Sequence, residues 1–154
     1  MRKEEKRAVI VNHRKAHFEY HLLDKFVAGV VLLGTEVKSV RLKKVSLVDT
    51  FCGFLNGELY LRNCIIQPYE KGGVYFNHDP KRDRKLLLNK SELKKLQNKL
   101  KDVGLTIVPI EVFFTEEGKV KVEIALAKGK KLYDKRATTK ERDLSRKLQK
   151  RDYE

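Results

Sequence analysis

Cysteine, long apolar runs and phosphate-binding glycine loops are scarce or missing in this sequence, and each shortage removes a class of protein. Cys52 and Cys64 are the only cysteines, and the eleven residues between them suit neither a C-x-x-C redox pair nor half of a zinc site. Both read as reduced, ordinary strand residues. The first fifteen residues are basic, but their apolar run, Ala8 to Val11, is too short for a signal-peptide core or a membrane span. Neither an amphipathic lipid-binding helix nor a lipidation site is evident, so no membrane partner and a cytoplasmic location are expected. The segment Gly34-Thr35-Glu36-Val37-Lys38-Ser39 lacks the G-x-x-x-x-G-K-[ST] spacing of a P-loop, which leaves ATP use unsupported. No internal repeat is present.

Charge is what the chain has in abundance. Thirty-five Lys and Arg against 21 Asp and Glu leave a net charge of +14, in 154 residues that are 41% hydrophobic and 36% charged. That length holds one domain with a real core and one modest extension. The excess positive charge attracts polyanions, and nucleic acid is the first candidate.

Hydrophobic patterning divides the chain into elements. Residues 20–33 are rich in Val, Leu and Phe and read as strand, with Gly29 marking a bend or bulge. Beyond Gly34, the spacing of Val37, Val40 and Leu42 predicts a short helix within residues 35–44. Residues 45–67 set two apolar stretches around Asn56-Gly57, a dipeptide suited to the positive φ angles of a tight hairpin. Residues 68–85 mix glycine, proline and charge and read as a long loop. Leu93, Leu96, Leu100 and Val103 recur at helical intervals, with Asn89 and Glu92 as a capping box and Gly104 as terminator. A second hairpin then turns at Thr115-Glu116-Glu117-Gly118, and Val120, Val122, Ile124 and Leu126 alternate towards one face. The fold class is mainly β with short helices: an OB-like antiparallel β-barrel over residues 1–127. Residues 128–154 carry eleven Lys/Arg, five Asp/Glu and few apolar side chains. So little apolar surface cannot offset the entropy of ordering, so this basic C-terminal tail is expected to be disordered when free and helical after Thr139 on a partner.

Four constellations bear on function. Residues 12–21, NHRKAHFEYH, interleave cations with rings suited to phosphate contact and base stacking. A solvated basic segment entering the first strand accounts for them equally well. His17 and His21 would need a helix to share a metal and have no third ligand, so no metal is expected. Gly34 to Ser39 leads into a helix whose first amides suit a phosphate, with Lys38 and Ser39 beside it, although an ordinary helix start explains the same residues. Residues 77–85, NHDPKRDRK, favour phosphate contact over catalysis, because adjacent His78 and Asp79 in a loop lack the fixed geometry of a base and its orienting carboxylate. Leu87 and Asn89, just beyond, have the plain readings of a core residue and a helix cap. Finally, Lys119 and Lys121 lie opposite the buried alternation of their strand and lead through Lys128, Lys130, Lys131, Lys135 and Arg136 as one cationic surface running into the tail.

Taken together, Ala16 to Tyr20, Ala28-Gly29, Gly34 to Ser39, Asn77-His78-Asp79-Pro80, Arg84 to Asn89 and Gly129 to Arg136 resemble the SsrA-binding protein family, in order and over nearly the whole chain. The resemblance implies a non-catalytic OB-type barrel without a cofactor, binding the tRNA-like domain of transfer-messenger RNA near its elbow by shape. It further implies delivery of alanyl-charged transfer-messenger RNA to ribosomes stalled on broken message, so that the nascent peptide is tagged. Alanyl-tRNA synthetase and elongation factor Tu are then indirect partners through the RNA. Leu87, Asn89 and Lys121 become expected RNA contacts, with Lys38, Ser39 and Lys128 beside them. Gly129, Lys130, Lys131, Tyr133, Asp134, Lys135 and Arg136 are assigned to the decoding region and empty message channel of the small ribosomal subunit, where Tyr133 stacks on a base.

Two positions depart from the family pattern. Val27 stands where members usually carry an acidic residue before Ala28-Gly29, leaving Glu36 or Asp24 as the nearby acceptors. The histidine of the leading motif is moved by one position to His17, which in a strand turns it to the other face. Without the resemblance, the readings are a general ribosomal or single-strand RNA-binding protein or, in a different class, a small RNA-processing enzyme using His78 and Asp79.

Overall fold

Turn chemistry sets the frame. Asn56 and Gly57 take consecutive positive φ angles of 52° and 79°, the pattern of a type I′ turn, and join β4 (Phe51–Leu55) to β5 (Glu58–Arg62) in the expected hairpin. The second expected hairpin joins β8 (Leu105–Phe114) to β9 (Val120–Gly129), with Gly118 at φ 80° in its turn. The structure, a computed structural model, describes residues 7–73 and 76–130. Lys131, Tyr133, Asp134, Lys135, Arg136 and the expected disorder of the tail therefore lie outside the described residues. The remaining elements are β1 (Ala8–Asn12), α1 (Arg14–Glu19), β2 (Tyr20–Val30), α2 (Gly34–Arg41), β3 (Val45–Ser46), β6 (Ile65–Ile66), β7 (Arg84–Leu87) and α3 (Lys90–Lys99).

Six strands pair antiparallel in the order β8-β4-β5-β7-β2-β9, and β9 returns to β8, which closes a ring; β1 pairs with residues 111–114 of β8, on the same edge that β4 meets at Ile107. Closure leaves the ring without an unpaired edge, which is the antiparallel barrel the sequence predicts. Two seams are narrow: β4 meets β8 at Cys52↔Ile107, and β2 meets β7 at Gly29↔Leu87 and Val30↔Leu86. Phe26, Leu59, Leu61, Leu86, Ile107, Val122, Ile124 and Leu126 are buried in the interior. Each such side chain contributes about 1.5–3 kcal/mol relative to an exposed one. Cys52 and Cys64 are both free and buried, and burial pushes both thiols up, Cys64 to about 11. Cys64 lies between β5 and β6 rather than in a strand.

Local expectations fail in three places. Residues 14–19 form α1, not the start of a strand: Arg, Lys, Ala and Glu are good helix formers, and a helix this short is held by packing rather than by its own propensity. Ala16, fully buried, seats α1 on Val108 and Ala127 on the outer face of the β8–β9 sheet. His17 is therefore helical, and its one-position shift rotates it about 100° round a helix instead of flipping it across a strand. Gly29 is not a bulge, since the register shift of β2 falls between Leu22 and Lys25. Val103 is 99% exposed, because α3 ends at Lys99 and turns through Asp102 before Gly104 at φ 86°. Leu96 is the buried contact of α3, and Asn89 at its N-cap donates its backbone N–H to Glu92 Oε1 at 3.3 Å.

A buried ion cluster ties the connections to the barrel. Glu36, on the first turn of α2, is fully buried and accepts from Arg84 Nε at 2.5 Å, Arg82 Nη2 at 2.6 Å and the Leu33 backbone N–H at 2.8 Å. Arg84, also fully buried, donates onward to the Cys64 carbonyl at 2.7 Å. His78 completes the tie, its Nδ1 2.8 Å from Thr35 Oγ1 and its Nε2 2.8 Å from the Ile66 carbonyl. Burial alone pushes the Glu36 carboxyl up, but the bonds from Arg82, Leu33 and Arg84 outweigh it and hold the group below the usual carboxylate range.

Replacing Glu36 by Gln strips two guanidinium groups of their carboxylate and should cost about 3–5 kcal/mol in denaturant unfolding. Because the folded carboxyl titrates below its ordinary 4.5, the wild-type advantage is full above that pH and disappears as pH falls through the lower folded value. An advantage that persisted into strong acid would contradict an ionised Glu36.

Candidate nucleic-acid interface

Strand parity decides which residues face outward. Ala28, Leu86 and Val122 are buried in the core, so Gly29, Leu87 and Lys121 beside them turn to the outer face. Gly29 pairs with Leu87 on one side and with Lys121 on the other, which aligns the three in one row across β7, β2 and β9. Gly29 contributes no side chain, so the row is a strip of bare backbone between an apolar group and a cation. A Cβ added at Gly29 would meet Leu87 Cβ at 3.4 Å. The row floors an open cleft of about 290 Å³, whose walls include Val37 of α2 and Lys119 beyond the β8–β9 turn. Leu87 is 52% exposed, which sets aside its reading as a core residue.

This arrangement fits a nucleotide. Leu87 offers packing for a sugar or base face while Lys121 and Lys119 supply charge for phosphate, the usual division between apolar contact and backbone positioning. Asn89 is exposed two residues beyond Leu87. Lys38 is exposed on α2 with its Nζ 5.3 Å from the Tyr69 ring centroid. Ser39 is fully buried and its Oγ has no partner among the described residues, so as folded it presents nothing to a ligand. Lys128 is exposed but lies at the other end of β9, paired with His21 and Leu105, on the opposite strand parity from Lys121. Residues 124–127 between them are all buried, against the core on one side and α1 on the other, so the cationic run of β9 is divided and not continuous. Lys128 and Gly129, placed in the tail by sequence, belong to β9, and Lys130 donates its backbone N–H to Glu19 at 2.9 Å.

Much of the charge at the basic end of the long loop is engaged within the chain. Arg82 and Arg84 are committed to Glu36, and Lys85 pairs with Glu58 at 2.9 Å. Nor can buried Glu36 act as the acceptor that Val27 lacks. Asp24 is partly exposed with Lys95 Nζ 3.8 Å away. His78 is held by Thr35 and Ile66, not by Asp79, whose carboxylate accepts from the Lys81 backbone N–H at 2.9 Å. A catalytic pair is not assembled there. Sequence reading marked Lys119 with Lys121 but missed Gly29 and Val37 as parts of the cleft; the two-residue alternation from Ala28 and Val122 was the available signal for the first. Among the described residues, no group of three or more potential ligands is placed to hold a metal ion.

Comparison with known proteins places the whole chain among relatives. The family model described as SmpB protein matches residues 10–153. An SsrA-binding protein of Bacteroides thetaiotaomicron is 54% identical over 136 residues, covering 88% of this chain and 90% of that protein. An SsrA-binding protein of Phocaeicola vulgatus is 51% identical over 138 residues, covering 90% of this chain and 91% of its own length. A solved structure described as "tmRNA-SmpB: a journey to the center of the bacterial ribosome" superposes with a TM-score of 0.66 at 49% identity, over 79% of this chain and 85% of its own.

Changing Lys121 to Gln should weaken binding to a folded, tRNA-like RNA and lower the slope of log affinity against log salt by about one. Ser39→Ala, by contrast, should leave that affinity unchanged and raise stability by about 1 kcal/mol, since it removes a buried hydroxyl without a partner. Loss of RNA binding in the Ser39 variant, with its melting unchanged, would restore Ser39 as a contact.

Proposed function

Because the chain belongs to the SmpB protein family, whose members bind RNA and are not enzymes, we propose that it is the transfer-messenger RNA-binding adaptor of trans-translation. The observation that carries this reading is the row of Leu87, bare Gly29 and Lys121 on a closed antiparallel barrel. Such a surface recognises the shape of a folded RNA and the exposed faces of its loops without reading a duplex sequence. The tRNA-like domain of transfer-messenger RNA is its ligand, with Leu87, Lys121, Asn89 and Lys38 as contacts, and the barrel is OB-like in its use of one sheet face for RNA.

The described part of the chain ends where β9 leaves the barrel, and the residues beyond it have a separate task. Gly129 and Lys130, anchored against α1, start a basic segment in which Lys131, Tyr133, Asp134, Lys135 and Arg136 engage the decoding region and empty message channel of the small ribosomal subunit. The barrel delivers alanyl-charged RNA to the stalled ribosome, so alanyl-tRNA synthetase and elongation factor Tu meet this protein through the RNA. The work is cytoplasmic; no helix among the described residues is long and apolar enough to cross a membrane.

Sequencing the RNA crosslinked to this protein in its native cell should return transfer-messenger RNA and small-subunit ribosomal RNA well above other species. Even enrichment across cellular RNA would sink the adaptor reading in favour of a general RNA-binding protein. Tyr133→Leu and Asp134→Asn should keep affinity for the isolated RNA and reduce peptide tagging on stalled ribosomes by about tenfold or more, the scale of one lost stacking contact. Loss of affinity for the isolated RNA would put the tail in the wrong role.

A further inference from the structure

A second row of residues crosses the outer face of the barrel beside the Leu87–Gly29–Lys121 row. Two positions along each strand, Val27 of β2 pairs with Glu123 of β9, and Glu123 pairs with Glu111 of β8. The parity that turns Gly29 and Lys121 outward turns Val27 and Glu123 outward as well, about 7 Å further along their strands. Phe113 lies opposite Lys121 and extends the first row onto β8. Two carboxylates directly opposite each other on paired strands repel, and these two stand next to the cations of the cleft.

One cation bridges them. Arg7 immediately precedes β1, and the pairing of Ala8 with Phe114 and of Val9 with Phe113 carries it onto the β8–β9 sheet. Its Nη1 donates to Glu111 Oε1 at 2.8 Å and also to Glu123 Oε2, 104 and 116 positions away in sequence. The guanidinium carbon lies 4.4 Å from the centroid of the Phe113 ring, which has no solvent exposure. Burial alone pulls the guanidinium down, but the bonds to Glu123 and Glu111 outweigh it and hold Arg7 above its ordinary value. The Glu111 and Glu123 side chains are only 16% and 15% exposed, so water reaches them poorly and the bridging cation does most of the compensation. With Arg7 the three groups carry a net charge of −1, where the two carboxylates alone carry −2.

We propose that Arg7 is a positioning residue for RNA binding: without touching the RNA, it neutralises the paired carboxylates of Glu111 and Glu123 and so keeps the face beside Lys121 open to phosphate. A phosphate drawn to Lys121 comes within a Debye length of Glu123, about 8 Å at physiological ionic strength, so bare carboxylates there act on it with little screening. Arg7 itself does not line the cleft; it acts through its two partners. The inference rests on the proposed function for its ligand, an RNA held at the Leu87–Gly29–Lys121 row. It adds that the segment leading into β1, remote in sequence from that row, sets how strongly the row attracts a polyanion.

The test is a set of binding curves for the full-length protein with the isolated tRNA-like RNA and with an oligouridine of equal length. Arg7→Gln should weaken binding by about tenfold at physiological salt. Lys101→Gln removes the same charge from the exposed turn after α3 and should weaken it by about twofold or less. Arg7→Lys should bind like the wild type, because it keeps the charge, and the Arg7→Gln deficit should shrink as salt rises. Glu111→Gln combined with Glu123→Gln should bind at least as tightly as the wild type. Adding Arg7→Gln to that pair should leave affinity within about twofold of the wild type, a rescue that a weakened fold cannot produce, since the triple variant has lost the bridge as well. A triple variant as weak as Arg7→Gln would make Arg7 a direct RNA contact, and an Arg7→Gln loss no larger than that of Lys101→Gln would make the bridge merely structural. Weaker binding by the glutamate pair alone would make the carboxylates themselves ligands, and each of these three results overturns the proposal. Equal binding of both RNAs by the wild type would instead count against the adaptor reading, while the ratios among the variants still decide the role of Arg7 on either RNA.

Discussion

The pairing of Glu36 with Arg84 and Arg82 is the interaction on which the other parts of the structure lean. A carboxylate and a guanidinium, both without solvent exposure, are tolerated only when each satisfies the other and the leftover donors find carbonyls. Here the leftovers reach the backbone at Cys64, and more distantly at Pro80, so the cluster joins α2, the approach to β6 and the long loop at one point. Arg84 opens β7, a strand of four residues, and Leu87 closes it. Fixing Arg84 therefore fixes the register that puts Leu87 beside Gly29. A residue three positions along from a buried charge owes its place at the surface to that charge.

The same cluster shows that part of the positive charge holds the fold together. A net charge of +14 suggests a uniformly adhesive surface, yet Arg82, Arg84 and Lys85 are committed to carboxylates within the chain. Arg7 likewise bridges Glu111 and Glu123, two like charges directly opposite each other on β8 and β9. The lysines at the two ends of β9 are divided by a stretch buried on both sides, where α1 covers the outer sheet face. The basic residues of β9 thus fall at its two ends, on either side of a packed waist.

Patterning of the sequence was enough for the hairpins, the long loop, α2 and α3, because each depends on contacts within a few residues: positive φ at Asn56-Gly57, or Glu92 reaching back to the Asn89 amide. It was not enough for α1. The six residues from Arg14 to Glu19 are helical because Ala16 fits closely over Val108 and Ala127, and those partners are about a hundred positions away. Val103 shows the converse, a residue on the helical spacing that a local turn leaves in solvent. The motif Arg84 to Asn89 was legible as a landmark, but nothing local separated buried Arg84 from exposed Leu87, nor buried Ser39 from exposed Lys38.

The sequence by itself determined that the chain is basic, mainly β, built from two hairpins and two internal helices, and similar throughout to one RNA-binding family, because composition, turn residues and ordered motifs are properties of the chain alone. Only the tertiary structure decided which basic residues remain available and which outward side chains share a cleft. Those outcomes depend on ring closure, which brings β7, β2 and β9 into one register, and on a single buried carboxylate that engages two arginines and holds one of them, Arg84, entirely inside the fold.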